Sequence, residues 1–346
     1  MFALKVKKVK IDPATNFINS KKRLILDNNT KKNILENQTG LIENLIAEVE
    51  KVFFGKRLVV ELTITSLVAK GHLLLEDVPG VGKTTLAKAL SKALDLGYSR
   101  IQFTSDMLPS DILGTFVFNP STAEFSFRSG PIFSNIILAD EINRTSPRTQ
   151  SALLEAMNEN QVTMDRKTFT LPSPFFVLAT QNPKEIQGTY HLPESQIDRF
   201  LLSTTIGYPD STIEKSIISG QNHNESFDKI NKVLDLQEVK DLQNSVATVA
   251  TEEELVGYVH SIITATREDD DFELGASPRA GIQMMAASRG YALIKGRDYV
   301  TPDDVQTIAP YVLAHRLILK GSSNILNVRN QVLSKIDEIL DFIPVP

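Results

Sequence analysis

A glycine-containing turn between an apolar run and a periodic segment limits the folds open to this chain. The apolar run is His72-Leu73-Leu74-Leu75, the turn covers residues 77–82, and the periodic segment begins at Lys83. A strand, a glycine turn and a helix in that order form the context of a loop that surrounds a phosphate group. The sequence therefore predicts a phosphate-binding loop at residues 77–85.

Each residue type in this loop, Asp77-Val78-Pro79-Gly80-Val81-Gly82-Lys83-Thr84-Thr85, fits that chemistry. Gly80 and Gly82 allow the backbone to turn its N–H groups inward, and the following helix points its positive end at the same anion. Lys83 would reach the β and γ phosphates of ATP, and the Thr84 hydroxyl would bind Mg²⁺. The strict pattern has Gly at position 77, where this chain has Asp. The alternative is a Gly/Pro turn with a solvated lysine.

Composition indicates an ordinary water-soluble protein of about two domains, because the 346 residues are 42% apolar and 23% charged. The absence of cysteine excludes disulfides and thiolate metal sites, and it fits a reducing, cytoplasmic compartment. No apolar run approaches the roughly 18 residues of a membrane span, and residues 1–8 lack the apolar core of a secretory signal. We therefore expect no membrane insertion.

The net charge of −5 is divided unevenly along the chain. Residues 1–32 contain nine Lys or Arg and two Asp, so the remainder is strongly acidic. An acidic body argues against non-specific nucleic-acid binding, which requires basic surface. Residues 1–35 are expected to form a basic, poorly ordered tail, although binding of the tail to an acidic surface stays open.

Five apolar runs alternate with helical segments and predict the fold class. The runs are His72–Glu76, Tyr98–Phe103, Ile136–Ala139, Phe175–Ala179 and Leu202–Ile206. This alternation predicts an α/β domain at residues 36–209, with a five-stranded parallel sheet in three layers. Beyond Pro209 the strand signals stop, and Thr251 and Thr301 begin segments that resemble capping boxes. Residues 210–346 are therefore predicted to form a smaller all-α domain.

Two alternating segments predict β-hairpins inserted into the sheet domain. One covers about residues 115–128 around the turn Asn119–Ala123, and the other covers residues 161–170 around Asp165-Arg166. Their aromatic faces either pack on the domain or meet a partner.

The run Asn135–Ala139 ends in two carboxylates, Asp140 and Glu141. Parallel sheets bind ligands at the edge where their strands end. Asp140 can therefore hold Mg²⁺, and Glu141 can polarise an attacking water. An isolated acidic pair would be an ordinary solvated loop, but its position after the predicted phosphate loop favours a hydrolytic pair.

Several further polar residues occupy places where they could act on a nucleotide. Asn182 follows the next predicted strand and could touch the γ-phosphate or the water, unless it only forms an Asn-Pro turn. Arg199 ends a short predicted helix, where it either complements the helix dipole or reaches a neighbouring subunit. Arg279 is placed in the first turn of a helix, where a cation is unfavourable and an anionic ligand is indicated. Arg144 and Arg148 are candidates for a subunit interface or for a solvated face.

Taken together, these motifs resemble those of the AAA+ ATPases, and within them the MoxR family. The resemblance covers roughly residues 36–320. It rests on six ordered segments: His72–Thr84, Gly130–Phe133, Leu138–Arg144, Ala179–Pro183, Gln196–Phe200 and Gly275–Ala280. Asp77 matches the form of the loop that is common in that family.

The resemblance implies a role for each site residue. Residues 80–85 would be Walker A, and Asp140 with Glu141 would be Walker B. Asn182 would be sensor 1, Arg199 the arginine finger, and Arg279 sensor 2 on a lid domain. The two hairpins would be the helix-2 and pre-sensor-1 inserts.

The resemblance also implies a Mg²⁺-dependent ATPase that forms a homo-oligomeric, hexameric ring. Such a ring would mature or remodel a protein client, often with a partner that carries a von Willebrand factor A domain. A magnesium-chelatase-like subunit and a nucleic-acid-dependent motor are the alternatives. The turn Asn119–Ala123 carries no Lys or Arg, whereas the second hairpin offers Arg166 and Lys167 beside Asp165. Together with the acidic body, this argues against the motor.

Overall fold

The computed structural model describes residues 33–182, 188–219, 227–321 and 325–346. Its central sheet consists of five strands: β1 (Leu73–Glu76), β2 (Tyr98–Gln102), β5 (Ile136–Asp140), β8 (Phe176–Gln181) and β9 (Leu202–Thr204). All neighbours are parallel, in the order β2-β5-β8-β1-β9. The predicted fold class, a five-stranded parallel α/β sheet followed by a helical domain, is confirmed.

Helices cover both faces of this sheet, which explains why its strands are continuous apolar runs. The first part of the chain contains the helices α1 (33–50), α2 (Arg57–Val68), α3 (Lys83–Ala93), α4 (Pro109–Leu113), α5 (Pro147–Glu159), α6 (Glu194–Ile197) and α7 (Ser211–Ile218). Leu73 and Leu75 pack on the side of α1, α2 and α3, whereas Leu74 packs on the side of α5. Alternate residues of one strand therefore enter two different cores.

Two antiparallel hairpins project from this domain. The first pairs β3 (Gly114–Asn119) with β4 (Glu124–Ser129), and the second pairs β6 (Gln161–Met164) with β7 (Lys167–Thr170). Asp165 and Arg166 form the two-residue turn of the second hairpin, and both have positive φ (48° and 66°). This is the backbone that the tightest hairpin turns require.

The C-terminal part of the chain is helical, with α8 (Leu236–Val246), α9 (Glu253–Glu268), α10 (Pro278–Ile294), α11 (Pro302–Leu313) and α12 (Ile325–Phe342). The expectation that strands end at Pro209 missed a small antiparallel pair, β10 (Phe272–Leu274) and β11 (Ile318–Leu319). These strands are too short to produce a recognisable alternation. Residues 33–35, which belong to the predicted tail, are helical, and the rest of the predicted tail, residues 1–32, lies outside the described residues.

One of the two predicted capping boxes is present. The backbone N–H of Thr301 donates to the Asp304 carboxylate at 2.8 Å, and Pro302 opens α11. The box predicted at Thr251 was wrong, because α9 begins one residue later, after Glu252. The Thr251 hydroxyl instead accepts a hydrogen bond from Arg289 at 3.0 Å. A tertiary contact has replaced the local cap.

The helical domain packs firmly on the sheet domain. Its apolar side chains continue the core formed by α1, α2 and α3. Glu61 on α2 is buried, and both of its carboxylate oxygens accept from Lys295 at 2.8 Å. Arg316 is also buried and pairs with Asp198 at 2.8 Å, just before β9. Among the described helices, none is both long enough and apolar enough to cross a bilayer.

Candidate nucleotide-binding site

The predicted phosphate loop joins the end of β1 to the start of α3. Gly80 and Gly82 have φ values of 88° and 100°, which favour glycine over residues with a side chain. A Cβ on Gly82 would also lie 3.3 Å from the ring of Phe53. Since α3 begins at Lys83, the unpaired N–H groups of its first turn point into the loop. The geometry is that of an anion-binding helix terminus.

Lys83 lies at the centre of this loop. Its ammonium group donates to the carbonyl oxygen of Asp77 at 2.6 Å, and the residue is buried. Burial lowers the pKa of Lys83, while the carboxylates of Asp77, Asp140 and Glu141 act in the opposite direction. The ammonium is thus held within the loop, where a phosphate oxygen could replace the carbonyl.

Asp77 explains why this loop lacks the first glycine of the strict pattern. Its buried carboxylate accepts from the backbone N–H of Ile206, and from the N–H of Gly207 at 3.2 Å. These bonds tie the start of the loop to the segment that follows β9. Glycine at position 77 could not make them.

The two carboxylates at the end of β5 are positioned by the neighbouring strand. The hydroxyl of Thr180 on β8 donates to Asp140 Oδ1 at 2.7 Å and accepts from the Glu141 N–H at 2.8 Å. Glu141 has a φ of 59°, an unfavourable conformation for a residue with a side chain. Such backbone strain often occurs at functional sites, where surrounding contacts hold it in place.

Cationic and amide side chains contact both carboxylates. Arg100 on β2 donates to Asp140 Oδ2 at 2.6 Å. Gln102, two residues later, donates to Glu141 Oε2 at 2.8 Å, and Arg144 Nε lies 3.0 Å from the same oxygen. Arg144, a candidate for a subunit interface from sequence, therefore pairs within its own chain. Arg148 lies exposed on the surface.

A single polar cavity brings most of the predicted site residues together. It is lined by Asp77, Pro79, Gly80, Gly82, Lys83, Thr84, Thr85, Arg100, Gln102, Asp140, Glu141 and Asn182. Val78 and Val81 belong to the same loop, but their side chains pack on the apolar core.

An apolar pocket adjoins this cavity and shares Gly80, Gly82 and Thr85 with it. The pocket is lined mainly by apolar side chains, Val52, Phe53, Phe54, Val81, Ile206, Pro209 and Ile213. In this arrangement a nucleobase could occupy the apolar pocket while the phosphates of the same nucleotide occupy the anion-binding loop.

The donor groups in the cavity fit Mg²⁺. The Thr84 hydroxyl and the Asp140 carboxylate supply oxygen atoms, which this cation prefers. Within the described ranges, no group of three or more His, Cys, Asp or Glu side chains could form a metal cage. Mg²⁺ is commonly held by one or two carboxylates and completed by substrate phosphates and water, so the residues present are sufficient.

Arg199 and Arg279 do not line this cavity. Arg199 Nη1 donates to the carbonyl oxygen of Leu154 at 2.7 Å, and Arg279 Nη2 donates to Asn158 Oδ1 at 3.0 Å. Arg279 also lies 4.0 Å from Asp198. Both arginines therefore lie by the second half of α5 and the start of β9, at the end of the strands opposite to the phosphate loop, which follows the far end of the adjacent strand β1.

Sequence reasoning missed Arg100, Gln102, Thr180 and the apolar pocket. Arg100 and Gln102 alternate with the buried Ile101 on β2, an edge strand, and this pattern usually indicates solvent exposure. The residues that form the pocket come from distant parts of the chain, so no local pattern marks it.

Comparisons with known proteins agree with this geometry. The family model of the ATPase family associated with various cellular activities matches residues 72–202, and an AAA lid domain model matches residues 264–336. A crystal structure of a putative ATPase from Cytophaga hutchinsonii has a TM-score of 0.82 and 35% identity, covering 93% of this chain and 99% of that one.

Two curated relatives are similar over most of their length. The uncharacterized protein YeaC of Bacillus subtilis is 44% identical, over 88% of this chain and 95% of the relative. The chaperone MoxR1 of Mycobacterium tuberculosis is 42% identical, over 80% of this chain and 76% of the relative. With both the ATPase and the lid regions matched, the chain belongs to the MoxR family of AAA+ ATPases.

Proposed function

We propose that this chain hydrolyses ATP at the subunit interfaces of a ring. In this proposal the ring works with a partner protein and uses the cycle to remodel protein complexes as a chaperone does. The observation that carries this proposal is the single cavity that contains Lys83, Thr84, Asp140, Glu141 and Asn182. The family and the similarity to a protein named chaperone MoxR1 support it.

Each of these side chains has a role in the reaction. Lys83 and the backbone N–H groups of the loop would bind the phosphates, and Mg²⁺ at Thr84 and Asp140 would offset their charge. Glu141 would accept a hydrogen bond from the attacking water and act as the general base that removes its proton. General-base catalysis typically increases the rate by roughly 10²–10⁴-fold. Asn182 would contact the γ-phosphate or the water.

The positions of Arg199 and Arg279 support an active site that is completed by a second subunit. Both lie at the end of the strands opposite to the loop, next to Leu154 and Asn158. From there they cannot serve the loop of their own chain, but in a closed ring they could face the loop of a neighbour. An arginine supplied in this way is worth about 10³–10⁵ in rate where it has been measured. A hexamer is the ring that we propose.

The two hairpins support the proposal that the client is a protein. Phe127 on the first hairpin stacks on Phe169 of the second, with ring centroids 4.0 Å apart, so the hairpins are joined. Phe118 and Phe125 lie at the end of the first hairpin, where they are 48% and 68% exposed. Exposed aromatic side chains favour contact with protein, and a von Willebrand factor A domain protein is the partner that we propose.

The test is the steady-state ATPase rate as a function of protein concentration. We expect a rate per subunit that rises with concentration in the wild type and is lost in Glu141→Gln, which should still bind ATP. Glu155→Gln changes an exposed carboxylate on α5 and serves as the matched control. Arg199→Ala should bind ATP normally but lose the concentration-dependent turnover.

Two results would contradict the proposal. Turnover that is independent of concentration and insensitive to Arg199→Ala would exclude an interface-built site. Strong stimulation by DNA or RNA would instead indicate a nucleic-acid-dependent motor.

A further inference from the structure

Arg100 contacts the metal-binding carboxylate of the proposed site from an unexpected strand. It lies on β2, two residues before Gln102, which is the register partner of Asp140. Its Nη2 atom donates to Asp140 Oδ2 at 2.6 Å and to Gln102 Oε1 at 2.7 Å. The side chain also lines the cavity that contains Lys83 and Thr84. Arg100 therefore lies within the site, although no sequence motif marks it.

The contact between Arg100 and Asp140 competes with Mg²⁺. Asp140 Oδ1 accepts from the Thr180 hydroxyl and Oδ2 accepts from Arg100, so hydrogen bonds already occupy both oxygens of this carboxylate. A guanidinium group does not lose its proton in proteins, so both competitors remain cations. Two cations on one carboxylate repel each other, so Arg100 would leave Asp140 if this carboxylate held Mg²⁺.

With a nucleotide bound in the same cavity, the phosphates would offer the displaced guanidinium a new anionic partner. The strand is fixed by its pairing with β5, but the Arg100 side chain is 46% exposed and can reorient. A guanidinium fork matches a phosphate group in geometry and charge. We propose that Arg100 is a phosphate-binding residue, which holds Asp140 in the contact seen here and transfers to the nucleotide phosphates when Mg²⁺ takes Asp140. This inference rests on the proposed ATP site.

The experiment measures equilibrium binding of a fluorescent ATP analogue, which requires neither ring assembly nor turnover. Wild type, Arg100→Gln, Arg100→Lys and Arg128→Gln are titrated in excess Mg²⁺, and a Mg²⁺ titration follows at fixed nucleotide. Arg128 is an exposed arginine on β4 and is the matched control. Thermal unfolding of each variant shows whether it is folded.

Loss of a charged hydrogen bond to phosphate should weaken binding of Arg100→Gln about 10- to 100-fold in Mg²⁺. Arg100→Lys keeps the charge without the fork, so its affinity should lie between those of the wild type and Arg100→Gln, and Arg128→Gln should match the wild type. If Arg100→Gln does not fold, Arg100→Lys alone decides.

If Arg100 were only a counter-ion of Asp140, the nucleotide affinity of Arg100→Gln would not fall. Removing Arg100 would then free the carboxylate, so Arg100→Gln would bind the Mg²⁺–nucleotide as well as the wild type or better, with half-saturation at lower Mg²⁺. That result, or an unchanged affinity in Arg100→Lys, would overturn the inference. Failure of the wild type to bind the analogue would overturn the proposed ATP site itself.

Discussion

Replacing Asp77 by glycine would restore the strict form of the phosphate loop, yet we expect it to destabilise the protein. The Asp77 carboxylate accepts from the N–H groups of Ile206 and Gly207, and Ile206 is 4% exposed. A buried donor left without a partner costs about 1–3 kcal/mol, and the two together should cost about 2–4 kcal/mol. Glycine adds about 0.5–1 kcal/mol of backbone entropy.

Urea titration followed by circular dichroism would measure this loss in the free energy of unfolding. Asp77→Asn keeps an acceptor oxygen without the charge, so it should lose about 1 kcal/mol. Asp270→Gly changes an exposed loop carboxylate and carries only the backbone entropy of glycine, so it should lose no more than about 1 kcal/mol. If Asp77→Gly were as stable as Asp270→Gly, the carboxylate would not be holding the loop and the reasoning would fail.

Three further predictions concern stability. His72 accepts the Val177 N–H at Nδ1 and donates from Nε2 to the Met157 carbonyl, and burial lowers its pKa to about 4. The unfolded chain, with a His pKa of about 6.5, takes up the proton first as pH falls. The free energy of unfolding should therefore drop by about 3 kcal/mol between pH 6.5 and 4, and His72→Gln should remove this part of the slope in urea titrations. Asp304 is buried, and its carboxylate accepts two hydrogen bonds from Arg297, at 2.5 and 2.6 Å. Asp304→Ala should therefore lower the free energy of unfolding by about 3–5 kcal/mol in the same assay. Asp303→Ala, at an exposed neighbour, should lower it far less. Phe127→Ala removes the ring stacked on Phe169 and should increase amide exchange in both hairpins, whereas Phe125→Ala, at a ring that is 68% exposed, should not.

Much of the fold could be predicted because its signals are local. Buried parallel strands are continuous apolar runs, and all five were recognisable without any knowledge of their neighbours. The second hairpin was recognisable because Asp165 and Arg166 interrupt an alternating pattern. The pair β10–β11 was not, since strands of three and two residues carry no pattern of their own.

The candidate site likewise combines residues that could be predicted from local sequence with contacts that could not. Gly80, Gly82, Lys83 and Thr84 are adjacent in the chain, and their spacing alone predicts an anion-binding loop. The contacts of Arg100 and Thr180 with Asp140 each join residues 40 positions apart. Asp77 and Ile206 are separated by 129 positions. Those contacts depend on which strands are neighbours.

Local sequence was therefore enough for the strands, the phosphate loop and the carboxylate pair, because backbone preference and apolar periodicity act over a few residues. The strand order β2-β5-β8-β1-β9 was not encoded in any such pattern. That order places Arg100 beside Asp140 and Thr180 beside both carboxylates. The parallel direction of the adjacent strands β1 and β9 leaves Arg199, before the start of β9, at the opposite end of the strands from Lys83. The tertiary structure decided these positions because side chains on separate strands meet only after the sheet has assembled.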